Sequence, residues 1–238
     1  ERGLQRIKDN YASTVKRGKL SPEAMAQRLA LITGSTAIAD VKDADLVIEA
    51  VFEDMALKQD IFRQLDQHGK RGAILATNTS GLDVDQIAAV TQRPQDVVGA
   101  HFFSPAHVMK LLEVVRATHT APDVIATVMD LGRRMGKIAV LSRIYPGFIG
   151  NALFRNYTRE AHFAVEDGAL PHEVDAALKH FGYAMGIFAV HDMAGNDVGY
   201  QTRKAQMATR ANDRRWNNLI LKLCDLGRLG QKVGKGWY

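Results

Sequence analysis

The sequence predicts an α/β fold that gives way to an all-α region, and three observations lead to this class. Before Pro146, short apolar runs alternate with helical segments, which is the pattern of a parallel sheet covered by helices. After Pro146, apolar residues recur at helical spacing. Pro146 and Gly147 separate the two patterns, because both residue types interrupt regular structure. We therefore predict two domains, residues 1–145 and 146–238.

The first elements of the chain are predicted to be two helices and a strand. Leu4, Ile7 and Tyr11 lie at helical spacing, which predicts an amphipathic first helix. Ser21 and Pro22 predict the start of a second helix, because serine is a favoured N-cap and proline a favoured first helical residue. A strand is expected around residues 32–36.

The remainder of the chain is predicted as strands and helices in alternation, and then as helices alone. Runs rich in β-branched and other apolar residues predict strands at residues 44–51, 73–77, 97–103 and 111–115. Helices are predicted at residues 54–67 and 122–135. In the second region a long helix is predicted to begin at Phe148. Pro171 and Gly182 mark boundaries of the helices that follow.

His101 and Glu113 carry the clearest chemical signal in the sequence. His101 lies in one apolar strand, and Glu113 is a lone acid in the next, where a buried carboxylate needs a partner. Antiparallel or neighbouring strands, joined by a loop that contains Pro105, could bring the two side chains together. A carboxylate on one ring nitrogen fixes the tautomer and leaves the other nitrogen free as a base. The alternative is a core histidine and a strand-edge charge.

Several motifs resemble those of the L-3-hydroxyacyl-CoA dehydrogenases, in order and in spacing. They are NTS at residues 78–80, HFFSPAHVMKLLEVV at 101–115, PGFIGN at 146–151 and the closing GRLGQKVGKGWY. The segments HFFSP and AMGIFAVHDMAGNDVGY (184–200) resemble the dehydrogenase part of the multifunctional fatty-acid oxidation proteins. The resemblance covers essentially the whole chain and implies a Rossmann-type sheet followed by a helical C-terminal domain.

The resemblance also implies a reaction and its residues. It implies NAD-dependent oxidation of (S)-3-hydroxyacyl-CoA, with His101 as the general base and Glu113 as the group that orients it. It assigns Ser80 and Asn151 to hydrogen bonds around the substrate oxygen. As alternatives, these two residues are a turn serine and a helix-cap asparagine.

Contacts to the cofactor NAD, near its nicotinamide end, are assigned by the same resemblance. The residues concerned are Ala50, Glu53, Lys58, Asn78 and Ser80. As an alternative, Glu53 is a first-turn acid favoured by the helix dipole and Lys58 is its surface neighbour.

The start of the sequence departs from the family pattern. A dinucleotide-binding sheet needs a first strand and a glycine-rich turn that lets the backbone approach the pyrophosphate. No GxGxxG occurs in the sequence, and the opening helices correspond to those after the family's second strand. We therefore expect an incomplete doubly wound sheet, with the first strand, its helix and the second strand absent through truncation or proteolysis. In the strand order 3-2-1-4-5-6 this gap lies at the sheet's centre, between the strand at 32–36 and the next one.

Composition and charge exclude few functions. The single cysteine, Cys224, excludes an internal disulfide framework, and no apolar run is long enough for a membrane span. No metal site is expected, because the histidines and Cys224 lack the spacing of metal ligands. The net charge of +5 favours a polyanion such as coenzyme A only weakly. The nearest candidate for nucleic-acid binding, which is better explained as a solvated helix face, is the basic group Arg203, Lys204, Arg210, Arg214 and Arg215.

Two functional hypotheses of different class follow. The first is an NAD-dependent dehydrogenase of fatty-acid β-oxidation with an acyl-CoA substrate. The second is a catalytically incomplete fragment that acts as an acyl-CoA-binding or dimerisation module. The resemblance implies a homodimer formed through the helical domain, without nucleic acid or a membrane span. A bacterial cytoplasmic location is favoured over a peroxisomal or mitochondrial one.

Overall fold

The computed structural model describes residues 1–207 and 215–238, so Arg210 and Arg214 lie outside the described residues. It divides the chain into two compact units, Glu1–Phe148 and Ile149–Tyr238. The strands of the first unit are β1 (Leu46–Glu49), β2 (Ile74–Thr77), β3 (Val97–Phe102), β4 (Leu111–Arg116) and β5 (Ile138–Arg143). Its helices are α1 (Arg2–Lys16), α2 (Pro22–Ala30), α3 (Met55–His68), α4 (Val84–Ala88) and α5 (Pro122–Arg134), with short 3-10 turns at Ile38–Asp43 and Pro94–Asp96.

The strands of the first unit form one sheet in the order β1-β2-β3-β4-β5. All neighbouring pairs are parallel except β3 and β4, which are antiparallel. Every residue of β2 is buried, as are the first five of β3, which explains why the central strands read as continuous apolar runs. The outer strands β1 and β5 keep exposed positions.

Helices cover both faces of this sheet. On one face, Phe62 of α3 and Ile87 of α4 pack against Leu75 and Val97. On the other face, α5 places its apolar residues, Val124 and Val128, against β2, β3 and β4. The predicted α/β class is therefore confirmed, and the sheet leaves the carboxyl ends of β1, β2 and β3 side by side.

Two predictions about the start of the sheet are wrong. Residues 32–36 form no strand, and Ile32 is 38% exposed. In the described sheet β1 is an edge strand, so the expected gap at the centre of the sheet does not exist there. Only Ile32 is strongly apolar in this segment and Gly34 disfavours a strand interior, and residues 32–36 have no partner strand in the described sheet.

The described secondary structure of the second unit is helical, apart from an isolated β-bridge between Gly230 and Lys235. Its helices are α6 (Gly150–Glu166), α7 (Pro171–Phe181), α8 (Ile187–Ala194), α9 (Asn196–Met207) and α10 (Leu219–Asp225), with a 3-10 turn at Gln231–Val233. The buried carboxylate of Asp175 accepts hydrogen bonds from the backbone N–H groups of Phe188 and Ala189, both at 2.9 Å. These two N–H groups lie in the first turn of α8, where the helix itself offers them no acceptor. Within residues 1–207 and 215–238, no helix combines the length and apolar character that crossing a bilayer requires.

The long helix after Gly147 begins later than predicted. α6 starts at Gly150, and Phe148 instead takes a left-handed backbone conformation with φ of 50°. This conformation is uncommon for a residue with a large side chain. Phe148 is nevertheless 2% exposed, because its ring packs into the core of the first unit.

Candidate active site

The structure brings His101 and Glu113 together. In the antiparallel register of β3 and β4, the two residues lie directly opposite each other on adjacent strands. His101 Nδ1 lies 2.8 Å from Glu113 Oε2, and the residues are 5% and 0% exposed. Glu113 is therefore not the exposed strand-edge charge of the alternative interpretation. Because the carboxylate occupies Nδ1, Nε2 is the ring nitrogen that remains available to accept or donate a proton.

Two aromatic rings surround the imidazole of His101. The centroid of the Phe103 ring lies 4.4 Å from that of the imidazole, and the centroid of the Phe148 ring lies 5.8 Å away. These rings limit the access of water to one side of the imidazole. The low polarity also strengthens the hydrogen bond between His101 and Glu113.

Polar side chains gather at the carboxyl ends of the parallel strands. Glu49 and Thr77 are the last residues of β1 and β2 and are partners in the sheet register. Asn78 follows β2, and its Oδ1 accepts a hydrogen bond of 2.8 Å from the backbone N–H of Phe102 at the end of β3. In open α/β sheets, ligands bind in the crevice outside these strand ends.

Glu53 and Ser80 meet at this edge of the sheet. Glu53 Oε1 accepts hydrogen bonds from the Ser80 backbone N–H at 2.7 Å, the Ser80 hydroxyl at 3.0 Å and the Thr79 hydroxyl at 2.7 Å. Partial burial of Glu53 opposes its ionisation, but these hydrogen bonds and the charge of Lys58 outweigh burial and lower its pKa. Glu53 is therefore an ionised carboxylate, and its side chain is 40% exposed.

The surroundings of Lys58 in the structure differ from those expected under the alternative interpretation. Its side chain is 1% exposed, so the alternative interpretation as a surface neighbour of Glu53 is wrong. Its Nζ lies 2.8 Å from Oε1 of Glu49, whose side chain is also 1% exposed. Glu53 is not a first-turn acid either, because α3 begins at Met55 and Asp54 is its N-cap.

The other predicted site residues have simpler surroundings. Ala50 is exposed and directly follows β1. Asn151 is half-buried in the first turn of α6, where Ile149 and not Asn151 is the N-cap. Within the ranges that the structure describes, no group of three His, Cys, Asp or Glu side chains is placed to hold a metal ion.

Three further residues lie at this site that were not predicted from the sequence: Glu49, Thr77 and Phe148. Glu49 is a lone acid at the end of the apolar run LVIE, so the argument that singled out Glu113 applies to it equally. No comparable signal marks Thr77, because threonine is common in strands. Phe148 follows a Pro-Gly pair that predicts a turn, but its contact with the imidazole depends on the folded chain.

The fold and this site together define a class of protein. A helix-covered, mostly parallel sheet with hydrogen-bonding side chains at its carboxyl ends is the architecture of nucleotide-binding α/β proteins, and a buried histidine–carboxylate pair adds acid–base chemistry. Comparison with known families is more specific. Residues 1–144 match the 3-hydroxyacyl-CoA dehydrogenase NAD binding domain, and residues 147–238 match the 3-hydroxyacyl-CoA dehydrogenase C-terminal domain. The chain belongs to the 3-hydroxyacyl-CoA dehydrogenase family.

Relatives of known sequence agree with this assignment. The chain is 49% identical over 221 residues to the peroxisomal bifunctional enzyme of Danio rerio, covering 88% of this chain and 31% of the relative. It is 39% identical over 239 residues to the peroxisomal fatty acid beta-oxidation multifunctional protein MFP2 of Arabidopsis thaliana, covering 100% of this chain and 33% of the relative. The chain thus spans about a third of the length of these curated relatives.

Solved structures show the same fold. The 3-hydroxybutyryl-CoA dehydrogenase of Escherichia coli superimposes with a TM-score of 0.91 and 36% identity, covering 100% of this chain and 51% of that one. The dehydrogenase part of multifunctional enzyme 1 from C. elegans gives a TM-score of 0.66 and 30% identity, covering 98% and 53%.

The comparisons confirm some predictions and overturn one. They confirm the family, its oxidoreductase class, the resemblance to multifunctional β-oxidation proteins and NAD as the cofactor of the matched domain. The expectation of a bacterial cytoplasmic location is wrong. The relatives that overturn it, at 35% to 49% identity, are named peroxisomal or glyoxysomal proteins of animals and plants. The motifs that carry the resemblance describe a site and hold no information about the compartment.

Proposed function

We propose that this chain oxidises (S)-3-hydroxyacyl-CoA to 3-oxoacyl-CoA with NAD, as a step of fatty-acid β-oxidation. In this proposal residues 1–145 are the NAD-binding domain and residues 146–238 the C-terminal domain. The observation that carries it is the 2.8 Å hydrogen bond between the buried side chains of His101 and Glu113. Such a pair can accept a proton from an alcohol, which dehydrogenation requires.

His101 acts as the general base. The hydrogen bond to Glu113 fixes the tautomer with the proton on Nδ1, so Nε2 is the nitrogen that takes the proton from the C3 hydroxyl. The carboxylate then stabilises the imidazolium that forms, because both groups lie in a region of low polarity. NAD, when bound, supplies the acceptor for the hydride from C3.

The remaining proposed residues bind and orient. Asn151 and Ser80 form hydrogen bonds around the substrate oxygen, which would otherwise be free to rotate away from the base. The Ser80 hydroxyl donates to Glu53 Oε1 in this structure, and it would turn toward the substrate to donate there. Glu53, Asn78 and Ser80 fit the hydroxyl groups of a ribose and the carboxamide of the nicotinamide, because they offer carboxylate, amide and hydroxyl groups at the carboxyl ends of the strands. Ala50 presents backbone to the same crevice, and Lys58 supports Glu53.

The test is NADH formation from (S)-3-hydroxybutyryl-CoA, followed by absorbance. We expect turnover by the unchanged chain and a loss of roughly 10²- to 10⁴-fold in His101→Gln. His119→Gln, which changes an exposed histidine, is the matched control and should keep full activity. Equal activity of the His101 variant would contradict the assigned base. If the unchanged chain binds acyl-CoA by calorimetry yet forms no NADH, the second hypothesis of an incomplete acyl-CoA-binding module is favoured.

We also propose that the chain forms a homodimer through its helical unit. Large apolar side chains are exposed in that unit, among them Leu153 (63%), Phe181 (83%), Val198 (67%) and Leu226 (69%). Apolar surface of this kind is often buried by association between copies. Size-exclusion chromatography with light scattering should give twice the chain mass of 26.2 kDa. A monomer at all concentrations would contradict this proposal.

A further inference from the structure

The pair formed by Glu49 and Lys58 is unusual for an ion pair. Both side chains are 1% exposed, and the charged atoms are 2.8 Å apart. Removing two charges from water is costly, and an apolar pair of similar volume is often as stable or more so. Stability alone therefore gives little reason for such a pair at the end of β1.

The carboxylate of Glu49 is held at both oxygens. Its Oε1, besides contacting Lys58, accepts a hydrogen bond of 2.6 Å from the backbone N–H of Val51. Its Oε2 accepts one of 2.8 Å from the hydroxyl of Thr77, the last residue of β2. The ends of two parallel strands thus determine where this carboxylate points.

The ammonium of Lys58 lies between this buried carboxylate and an exposed one. Its Nζ lies 3.5 Å from Oε2 of Glu53 and 3.4 Å from the carbonyl oxygen of Val51. An ammonium has three N–H donors, and Glu49, Glu53 and Val51 provide three acceptors around it. These contacts hold the side chain of Lys58, which extends from the first turn of α3, with its ammonium beside Glu53.

Glu53 connects this arrangement to the proposed site. The oxygen that does not face Lys58 accepts the hydrogen bonds from Thr79 and Ser80. The side chain of Glu53 is 40% exposed, whereas that of Lys58 is 1% exposed. Glu53 is therefore the residue of this arrangement that a ligand can reach. A substitution of Glu49 would therefore displace Lys58, and the displaced Lys58 would in turn alter the position of Glu53 at the crevice.

We propose that Glu49 is a positioning residue for the cofactor site, which holds Lys58 and through it fixes Glu53 at the carboxyl ends of β1 and β2. The inference rests on the proposed function only in taking Glu53 as a cofactor contact. Glu49 itself touches neither cofactor nor substrate. Its contribution is the orientation of the group that does.

The variant that tests this is Glu49→Gln, which keeps the shape of the side chain but removes its charge. We expect the dissociation constant of NADH, measured by its fluorescence, to rise about ten- to hundredfold, since a small displacement of a binding group is costly. The KM for NAD should rise in parallel, while the KM for the acyl-CoA stays unchanged. Thr77→Val, which removes one hydrogen bond to Glu49 and leaves all charges, should give a smaller rise and serves if Glu49→Gln does not fold.

The control separates positioning from mere stability. Leu75→Ala empties part of the core from the middle of β2, where Leu75 is fully buried, and should lower the unfolding midpoint without changing NADH affinity. The inference is overturned if both Glu49→Gln and Thr77→Val bind NADH as the unchanged chain does, if Leu75→Ala weakens binding as much, or if the unchanged chain binds no NADH. An unchanged chain that binds NADH but oxidises no substrate would defeat the proposed function and leave this inference intact.

Discussion

Replacing His162 by phenylalanine should make the second unit less sensitive to acid. The His162 ring is 4% exposed and stacks near Phe188 and Trp237, with ring centroids 5.7 Å and 5.3 Å away. In the part of the chain that the structure describes, no group makes a hydrogen bond of good geometry to either ring nitrogen. A phenyl ring therefore keeps the packing and loses no hydrogen bond of that kind.

The surroundings of His162 keep its imidazole neutral. Burial, followed by the nearby His191 and Arg203, lowers the pKa of His162 to about 3, and the Asn217 side chain opposes this only in part. Burial likewise lowers the pKa of His191 to about 4, against the opposing charges of nearby carboxylates. The two rings are 5.5 Å apart, so protonating one further disfavours protonating the other.

The sign and size of the effect follow from proton linkage. An unfolded histidine titrates near pH 6.5, so below this pH the unfolded chain binds protons that the folded chain refuses. Stability is therefore lost as pH falls from about 6.5 toward the folded pKa of about 3 for His162. The loss is about 1.4 kcal/mol per pH unit for each histidine. At pH 5 it amounts to about 2 kcal/mol for His162 and about 4 kcal/mol for the pair.

Urea unfolding at pH 7 and pH 5, followed by tryptophan fluorescence, measures this difference. The fall in unfolding free energy between the two pH values should be about 2 kcal/mol smaller in His162→Phe than in the unchanged chain. His172→Phe, at an exposed position, is the matched control and should change nothing. An equal fall in the His162 variant and the unchanged chain would refute the reasoning that a buried neutral imidazole causes the acid sensitivity.

Two further predictions concern the sheet and the proposed base. A Cβ at Gly99 would lie 2.6 Å from Cβ of Val115 across the β3–β4 pair, so Gly99→Ala should cost about 1–3 kcal/mol in denaturant unfolding. Gly3→Ala, where a Cβ meets nothing within 4 Å, should cost nothing, and equal stability of the two variants would contradict the steric argument. Glu113→Gln should lower kcat/KM roughly 10²- to 10⁴-fold without unfolding the chain, because the imidazolium loses its counter-charge. Turnover at the unchanged level, with a normal thermal midpoint, would count against Glu113 as the orienting group of His101.

Local chemistry explains which elements were predictable. Asp54 and Ser21 accept hydrogen bonds from backbone N–H groups at the starts of α3 and α2, so the helices begin where capping residues predict. The central strands β2 and β3 are buried and read as apolar runs. Residues 32–36 lack such a run, since only Ile32 is strongly apolar, and they form no strand.

Such local reasoning explains less of the site. A lone acid within an apolar strand predicted that Glu113 needs a partner, and the chain order suggested His101. That argument does not tell which of several candidate partners a buried charge takes. The alternative interpretation of Lys58 as a surface neighbour of Glu53 is wrong, because Lys58 is 1% exposed and pairs with Glu49. The difference arises because side-chain burial depends on neighbours that are distant in the sequence.

Periodicity and capping residues predict the α/β class from the sequence alone, because they are local properties of the chain. The family and its cofactor were predicted from the resemblance of ordered motifs to those of known dehydrogenases. Three further features appear only in the folded chain: β1 is an edge strand, His101 faces Glu113 in the β3–β4 register, and Glu49 and Lys58 form a buried pair. These features depend on strand order and on contacts between residues far apart in the chain. Their energies are set by burial and distance, which exist only once the chain has folded.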